Sequence, residues 1–233
     1  MNIYNEIVKD GNSLCFDVGA NIGNRTEVFM NLGFQKIIAI EPQLDCLSVL
    51  RNKFGNTESV VIVEGAMSDL TGRDSIRISN ANTISSMSDD FITEVKKERF
   101  SSLNWDGFLE IDTFTLEDMI NTYGVPDFIK IDVEGFESRV INGLSTAVKY
   151  ISFEYTPEIH SNSTRCIDKL DEIGQYEFSF SYGESLVLST EWLSGENMKK
   201  WLAENLEYNG TGRIKTDSLG NYIFGDVYAR LRS

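Results

Sequence analysis

Short apolar runs, in which polar residues do not alternate strictly with apolar ones, recur along the first two thirds of the chain. Runs of this kind are typical of strands that are buried on both faces, as in a parallel sheet. They predict five strands: Ser13–Val18, Lys36–Ile40, Val60–Val63, Phe128–Val133 and Tyr150–Tyr155.

Segments with helical spacing separate these runs. Asn24 and Glu27 have the spacing of a capping box, which predicts a helix that ends before Gly33. The same reasoning predicts a helix from Leu44 to Phe54, one that Thr115 caps and that runs to Tyr123, and one around Val140, Ile141 and Leu144. The alternation of strands and helices predicts a doubly wound α/β fold.

The remaining segments are less regular. Residues Asn80–Gly107 are polar and rich in serine, with a predicted helix near Asp89–Arg99. A segment of this length between sheet elements is either a lid over a site or a solvated surface excursion, and the pattern leaves both open. Further on, we predict a β-ribbon over Gln175–Thr190 that turns at Gly183, a helix over Gly195–Leu206 and a last strand over Asp226–Leu231. A single domain over residues 1–233 is the favoured organisation.

Charge and composition narrow the class of protein. The chain has 233 residues, with 21 Lys and Arg against 36 Asp and Glu, a net charge of −15. This balance disfavours a nucleic-acid backbone or an anionic membrane as partner, since both attract basic surfaces. Three scattered cysteines indicate neither a disulfide framework nor a metal site, and favour a reducing compartment. Without a signal-peptide pattern or a long apolar run, we expect a soluble cytoplasmic protein that does not insert into membranes.

A glycine-containing loop, DVGANIG, follows the first predicted strand at Asp17–Gly23. Glycine lets the backbone turn tightly and approach a ligand closely, and free amides at the start of a helix favour polar or anionic groups. A dinucleotide-binding fingerprint would need glycine where Asn21 and Asn24 stand, which counts against NAD.

An acidic residue ends the second predicted strand. Glu41 lies 18 residues after Gly23 and is followed by Pro42. A carboxylate at this place can accept hydrogen bonds from the two hydroxyls of a ribose. The alternative interpretation is an ordinary solvated carboxylate at the end of a strand.

Two more carboxylates end the fourth predicted strand. Asp132 and Glu134 are two residues apart, so on an extended segment they face the same way. Neighbouring carboxylates resist double ionisation, which raises one pKa and suits a general base, and their oxygens also suit Mg²⁺ or Ca²⁺. In the alternative interpretation, Glu134 caps a helix beginning near Phe136, and Asp132 pairs with Lys130 or Arg139.

Two further residues are candidates for proton transfer. Glu154 ends the fifth predicted strand, at the edge where ligands bind in such sheets. His160 is the only histidine and lies in a predicted loop six residues later. Histidine titrates near neutrality, which suits a general base, but a lone loop histidine is also common on surfaces.

Several of these motifs together resemble the FkbM-type family of methyltransferases. The resemblance spans about residues 13–160 and rests on DVGANIG, AIEP, Ser85-Ser86-Met87, TLEDM at Thr115–Met119 and IKIDVEGFE at Ile129–Glu137, with GDVYAR at Gly225–Arg230 near the end. It implies the class I fold, a mostly parallel, seven-stranded, Rossmann-like sheet with helices on both faces. It also implies S-adenosylmethionine as cofactor, and leaves residues 161–233 to the acceptor side.

The resemblance also assigns residues to the cofactor. Residues of the glycine loop would surround the methionine part, Glu41 would hold the ribose, and the segment after the third strand would border the adenine. The implied cofactor-binding set is Asp17, Gly19, Ala20, Asn21, Gly23, Glu41, Pro42, Gly65, Ala66, Met67 and Asp132.

With this resemblance, the sequence predicts an S-adenosylmethionine-dependent O-methyltransferase that acts on a hydroxyl of a small molecule or glycan, above all of a sugar. The sugar assignment follows from the resemblance alone. Asp132, Glu134, Glu154 and His160 are the candidate catalytic residues, and Asp132 and Glu134 are the candidate ligands of a divalent metal such as Mg²⁺. The alternatives are an NAD-linked oxidoreductase and a catalytically inactive scaffold that binds S-adenosylmethionine.

Overall fold

A seven-stranded sheet organises the protein, whose computed structural model describes residues 13–97, 99–183, 187–188, 191–206 and 224–232. The strands are β1 (Leu14–Val18), β2 (Lys36–Glu41), β3 (Val60–Glu64), β4 (Ala66–Met67), β5 (Gly72–Ile78), β6 (Gly107–Phe114), β7 (Phe128–Ile131), β8 (Tyr150–Tyr155), β9 (Tyr176–Phe180) and β10 (Gly225–Leu231). The helices are α1 (Asn24–Asn31), α2 (Leu44–Phe54), α3 (Asp89–Val95), α4 (Leu116–Tyr123), α5 (Glu137–Asn142), α6 (His160–Ile173) and α7 (Gly195–Leu206).

The main sheet has the strand order β3-β2-β1-β7-β8-β10-β9. Every neighbouring pair from β3 to β8 is parallel, and β10 runs antiparallel to both β8 and β9. The predicted α/β fold with a mostly parallel seven-stranded sheet is therefore confirmed.

The central strands of this sheet are buried because helices cover both of its faces, whereas the edge strand β3 is only half-buried. On one face Phe16, Ile38 and Ile129 pack in a core with side chains of α4, α5, α6 and α7. On the other face Cys15 and Ile37 pack with side chains of α1 and α2. This two-sided burial explains why the strands read as unbroken apolar runs.

Several predicted boundaries agree with the structure. Helix α2 has the predicted bounds, and α4 begins after Thr115, whose hydroxyl accepts from the amide of Asp118 in a capping box. Helix α7 and strand β10 also lie where predicted. Among the described residues, none of the helices has the length and apolar character needed to cross a bilayer.

The predicted capping box of α1 is wrong. Gly23 occupies the N-cap position with φ of 84°, no side chain caps the described helix end, and Asn24 is already the first helical residue. Asn24 therefore stands one position too late for its side chain to act as a cap.

The predicted ribbon after residue 175 is only partly correct. Its first strand, β9, forms its ladder with β10 rather than with the residues after Gly183, although Leu193 makes one isolated bridge to Phe178. Residues 184–186 and 189–190 of the prediction lie outside the described part of the chain.

A second, three-stranded sheet was not predicted. It has the order β4-β6-β5, with β4 parallel and β5 antiparallel to β6. Strand β5 reads GRDSIRI, and its first four residues are exposed while Ile76 is buried. With so few buried positions, β5 lacks the apolar pattern that marks a strand.

The segment 80–107 contains its own small core. It holds a 3₁₀ turn at Asn82–Ile84 and helix α3, which ends at Val95, short of the predicted Arg99. Ile84, Phe91, Val95 and Trp105 are buried together, and the indole N–H of Trp105 donates to the carbonyl of Ile84 at 2.8 Å. A polar composition therefore conceals a packed element.

Candidate active site

A cavity of about 270 Å³ opens at the carboxyl edge of the main sheet. The loops after β1, β2 and β7 contribute to its lining. Strands β2 and β3 lie to one side of β1, and the chain then returns to place β7 on the other side. Ligands bind at such switch points because the loops diverge there and leave a crevice.

The glycine loop after β1 forms one wall of the cavity, with Gly19, Ala20 and Asn21 in its lining. The amides of Gly19 and Ala20 both donate to the carbonyl of Ile40 at 3.0 Å, which joins this loop to the end of β2. Gly19 has φ of 79°, and a Cβ there would lie 1.9 Å from the carbonyl oxygen of Asp132. Only glycine allows the β1 and β7 loops to approach this closely.

Glu41 is buried at the end of β2, only 2% exposed, and lines the cavity beside Pro42. Its Oε2 accepts from the amide of Asn21 and its Oε1 from the amide of Gln43, each at 2.8 Å. Burial raises the pKa of Glu41, and these hydrogen bonds oppose the shift. The carboxylate is therefore held in one position before any ligand binds.

The segment after β3 forms an apolar part of the lining. Gly65, Ala66 and Met67 all border the cavity, together with Ile76 of β5 and Met87 from the segment 80–107. Apolar side chains next to a buried carboxylate suit a ligand with one flat, weakly polar part and one hydroxylated part.

Three carboxylates meet on the side of the cavity near β7 and β8. Asp132, Glu134 and Glu154 each place one carboxylate oxygen within 4.8 Å of the others. The expected route to this arrangement is wrong, because β7 ends at Ile131 and Glu134 has a left-handed φ of 53°. A turn, not an extended strand, brings Glu134 to Asp132.

Lys130 is buried next to this cluster, only 1% exposed. Its ammonium donates to Oδ2 of Asp132 at 2.7 Å, so the alternative pairing of Asp132 with Lys130 is what the structure shows. Burial by itself would lower the pKa of Lys130, but Asp132 and Asp226 raise it above its ordinary value. Lys130 therefore stays charged and offsets one carboxylate of the cluster.

The other two carboxyls carry raised pKa values. Burial, then the charges of Asp132 and Glu137, raise the pKa of Glu134 well above its ordinary value. Burial, then the charges of Glu134 and Asp132, do the same for Glu154. Among the described residues, Oε2 of Glu154 is also buried without a hydrogen-bond partner.

Glu134 does not cap the following helix, so that alternative interpretation is wrong. Glu137, the first residue of α5, accepts from the amides of Val133 and Gly135 at 3.2 and 3.1 Å. Glu137 therefore satisfies the backbone ahead of the helix, and the carboxylate of Glu134 is left to the cavity. Carboxylate oxygens at this spacing suit a divalent cation as well as proton transfer.

Three predicted site residues do not line the cavity: Asp17, Gly23 and His160. Asp17 is buried behind the loop, where it accepts from the hydroxyl of Thr26 at 2.6 Å. A Cβ on Gly23 would meet the ring of Phe54, so this residue serves packing. His160 is the first residue of α6 and not part of a loop.

Sequence reasoning missed other residues of the lining, among them Gln43, Phe136 and the serine Ser85. Ser85 belongs to the Ser85-Ser86-Met87 stretch, which carried part of the family resemblance without a role. That stretch was the available signal, because it was the part of the segment 80–107 that resembled the family.

The chain is similar in fold to several methyltransferases of known structure. The crystal structure of the methyltransferase FkbM from Methylobacillus flagellatus KT matches 79% of this chain at 16% identity with a TM-score of 0.51. The match spans only 45% of that protein. A precorrin-6y C5,15-methyltransferase from Geobacter metallireducens GS-15 is 12% identical with a TM-score of 0.48, over 99% of this chain and 86% of that one.

A putative O-methyltransferase from Klebsiella pneumoniae is 7% identical with a TM-score of 0.46, over 100% of this chain and 79% of that one. No curated relative matches the sequence at a significant level. The sequence model of the methyltransferase FkbM domain, however, matches residues 17–182, which is more than half of the chain. Together with the fold, this match shows that the chain belongs to the FkbM methyltransferase family.

Proposed function

We propose that this protein is an S-adenosylmethionine-dependent O-methyltransferase that transfers a methyl group to a hydroxyl of a sugar or glycan. The observation that carries the proposal is the pairing, in one cavity, of a fixed buried carboxylate, Glu41, with a cluster of three carboxylates. The sugar class rests on the family resemblance.

The residues of the cavity fit the cofactor. Glu41 would accept from the two ribose hydroxyls, and Gly65, Ala66 and Met67 would border the adenine. The glycine loop would contact the methionine part through Asn21. The carboxylate cluster would face a positively charged sulfonium, which an acidic cavity attracts. When bound, the cofactor supplies an electrophilic methyl group.

The chain's own residues align the acceptor and remove its proton. We assign the general base to Glu154, because its Oε2 is buried and lacks a hydrogen-bond partner among the described residues. A carboxylate with a raised pKa is a stronger base than an ordinary one, so it takes the hydroxyl proton more readily. Asp132, whose Oδ2 already accepts from Lys130, orients the acceptor hydroxyl instead.

The proposal places the reaction in the cytoplasm with a small molecule or glycan as partner. The net charge of −15 supports this acceptor class over nucleic acid, whose phosphates an acidic surface repels. The three cysteines are buried and free, as suits a reducing compartment.

The direct test is transfer of label. The protein is incubated with isotopically labelled S-adenosylmethionine and a panel of glycans and simpler hydroxyl compounds, and the products are analysed by mass spectrometry. We expect at least one sugar to gain a labelled methyl group on oxygen. Methylation of a non-sugar hydroxyl alone would correct the acceptor class.

Calorimetry separates the proposal from its rivals. Binding of S-adenosylhomocysteine without binding of NAD is the expected result, since the dinucleotide fingerprint is absent. Tight NAD binding with no response to S-adenosylhomocysteine would indicate an oxidoreductase. Cofactor binding with no transfer to any acceptor would indicate an inactive scaffold.

A further inference from the structure

Two adjacent serines of the segment 80–107 reach two different loops of the cavity. Ser85 and Ser86 are both buried, at 7% and 1% exposed. Their side chains make hydrogen bonds to residues that lie far away in the sequence, Gln43 for Ser85 and Glu134 for Ser86. The proposed mechanism does not yet use either serine.

Ser86 holds the loop after β7. Its hydroxyl donates to the carbonyl oxygen of Glu134 at 2.6 Å and accepts from the amide of Ser88 at 2.8 Å. Its own backbone is paired with Arg77 of β5 through bonds of 2.9 and 3.1 Å. The carbonyl of Glu134 is thereby tied to the second sheet. The φ of Glu134 is 53°, which is unfavourable for a residue other than glycine.

Ser85 holds the loop after β2. Its hydroxyl donates to Oε1 of Gln43 at 2.9 Å and accepts from the amide of Ser79 at 3.2 Å. The backbone amide of Gln43 in turn donates to Oε1 of Glu41. Ser85 therefore acts on the side of the cavity that carries the buried strand-end carboxylate.

We propose that Ser85 and Ser86 are positioning residues that set the two halves of the site separately, Ser86 through Glu134 and Ser85 through Gln43. The inference rests on the proposed function, because it assigns Glu134 to the cationic part of the cofactor and Glu41 to the ribose. It gives the segment 80–107 a permanent place in the site.

The two serines are distinguishable because the two cofactor forms differ in charge. S-adenosylmethionine carries a sulfonium that S-adenosylhomocysteine lacks, while the ribose and adenine are the same in both. A displaced Glu134 carboxylate weakens the attraction for the sulfonium, so it affects S-adenosylmethionine alone. A displaced Gln43 changes the support of Glu41, so it affects both forms equally.

The experiment measures the dissociation constants of both forms by calorimetry for the full chain and three variants. We expect Ser86→Ala to weaken the binding of S-adenosylmethionine by about 3- to 10-fold and the binding of S-adenosylhomocysteine by less than about 2-fold. We expect Ser85→Ala to weaken the binding of both cofactor forms by about 3- to 10-fold. The control is Ser88→Ala, which removes the N-cap of α3 in the same segment and leaves both serines in place.

A second background shows whether Ser86 acts through Glu134. In a Glu134→Gln protein, Ser86→Ala should no longer change the ratio of the two dissociation constants, because the charge it positions is gone. Thermal melts of every variant identify any that are unfolded. If Ser86→Ala is unfolded on its own, the comparison is between the Glu134→Gln protein with and without Ser86→Ala. An unchanged ratio in Ser86→Ala, or the same change in Ser88→Ala, overturns the inference alone. Failure of the wild-type protein to bind either form overturns the proposed function.

Discussion

Glu41 and Glu64 end neighbouring strands in register, yet only Glu41 is buried. Glu64 is exposed and pairs with Arg51 at 2.7 Å. This contrast provides a matched test of the ribose assignment. Glu41→Ala should weaken the binding free energy of S-adenosylhomocysteine by about 1–3 kcal/mol, because the two ribose hydroxyls lose a buried acceptor. Glu64→Ala, measured in the same calorimeter, should leave affinity unchanged, and equal losses in both variants would refute the assignment.

Glu154 and Asp132 differ in what already occupies their oxygens, and one variant of each tests the role assigned to it. Glu154→Gln should lower turnover by about 10²–10⁴-fold with cofactor affinity retained, as expected for loss of a general base. Asp132→Asn should also lower turnover while binding survives. The measurement is the single-turnover rate with the acceptor identified in the panel. Full activity of both variants would contradict the assigned roles, and Glu177→Gln, on the outer strand β9, is the control.

A chelator distinguishes a base from a metal ligand at the same carboxylates. If EDTA leaves the rate unchanged, proton removal falls to the cluster itself. If EDTA abolishes the rate and Mg²⁺ restores it, Asp132, Glu134 and Glu154 are better interpreted as ligands.

His160 lies outside the cavity lining, so the His160→Ala variant should keep the pH–rate profile of the wild-type protein.

The carboxylate cluster also predicts a pH dependence of cofactor choice. The pKa values of Glu134 and Glu154 are raised, so both are neutral at low pH and gain charge as the pH rises through those values. The affinity for S-adenosylmethionine relative to S-adenosylhomocysteine should therefore rise with pH. Calorimetry across pH measures this ratio, in which the groups shared by the two ligands cancel. Glu154→Gln should flatten the rise, and a ratio that falls with pH would argue against a role for these carboxylates.

Helix α3 illustrates how an element outside the main sheet contributes to the site. A Cβ on Gly135, whose φ is 89°, would lie 2.5 Å from Cβ of Phe91 in this helix. Gly135→Ala should therefore destabilise the protein by roughly 1–3 kcal/mol through strain and displacement of α3. Thermal denaturation measures the effect. Gly72→Ala is the control, since nothing lies within 4 Å of a Cβ there, and a similar loss in both variants would exclude this contact as the cause.

The segment 80–107 joins the rest of the protein through apolar and polar contacts. Besides the serine bonds, Arg99 pairs with the fully buried carboxylate of Glu158 at 2.9 Å. We predict that the segment acts as a lid, tightening on ligand binding to exclude water from the reacting atoms. Hydrogen exchange across residues 80–107 should slow when S-adenosylhomocysteine and an acceptor are added. Exchange that stays the same with both ligands would contradict the role of a lid.

The order of strands brings distant parts of the chain together. Strands β1, β2 and β7 lie side by side in the sheet, although 86 residues separate the end of β2 from the start of β7 in sequence. Their carboxyl ends therefore meet at one edge, and the loops after these three strands contribute to the cavity. The order of the strands depends on how the crossovers place each parallel strand, so it is a property of the whole sheet rather than of any one loop.

Much of this architecture follows from local pattern. The five apolar runs correspond to β1, β2, β3, β7 and β8, because strands covered on both faces must be apolar at successive positions. The family resemblance carried by the motifs is confirmed by the match over residues 17–182. Strand β5 escaped prediction because only one of its seven residues is fully buried.

The candidate site, like the fold, could be predicted only in part. Placement of Glu41, Asp132 and Glu154 at strand ends could be predicted, because each follows or closes an apolar run whose end must lie at the edge of the sheet. Convergence of Glu134 with Asp132 was predicted for an extended strand, but it depends instead on a left-handed residue held by Ser86 from another part of the chain. The absence of His160 from the lining depends likewise on where α6 begins.

Hydrophobic periodicity, caps and motifs are properties of neighbouring residues, so the class of fold, the bounds of several elements and the family could be predicted from the sequence. The packed fold was needed to show which carboxylates meet, that Lys130 pairs with Asp132, and that Ser85 and Ser86 join separate loops. Burial and hydrogen bonding between distant residues set these contacts, and they arise only when the sheet and the segment 80–107 pack together.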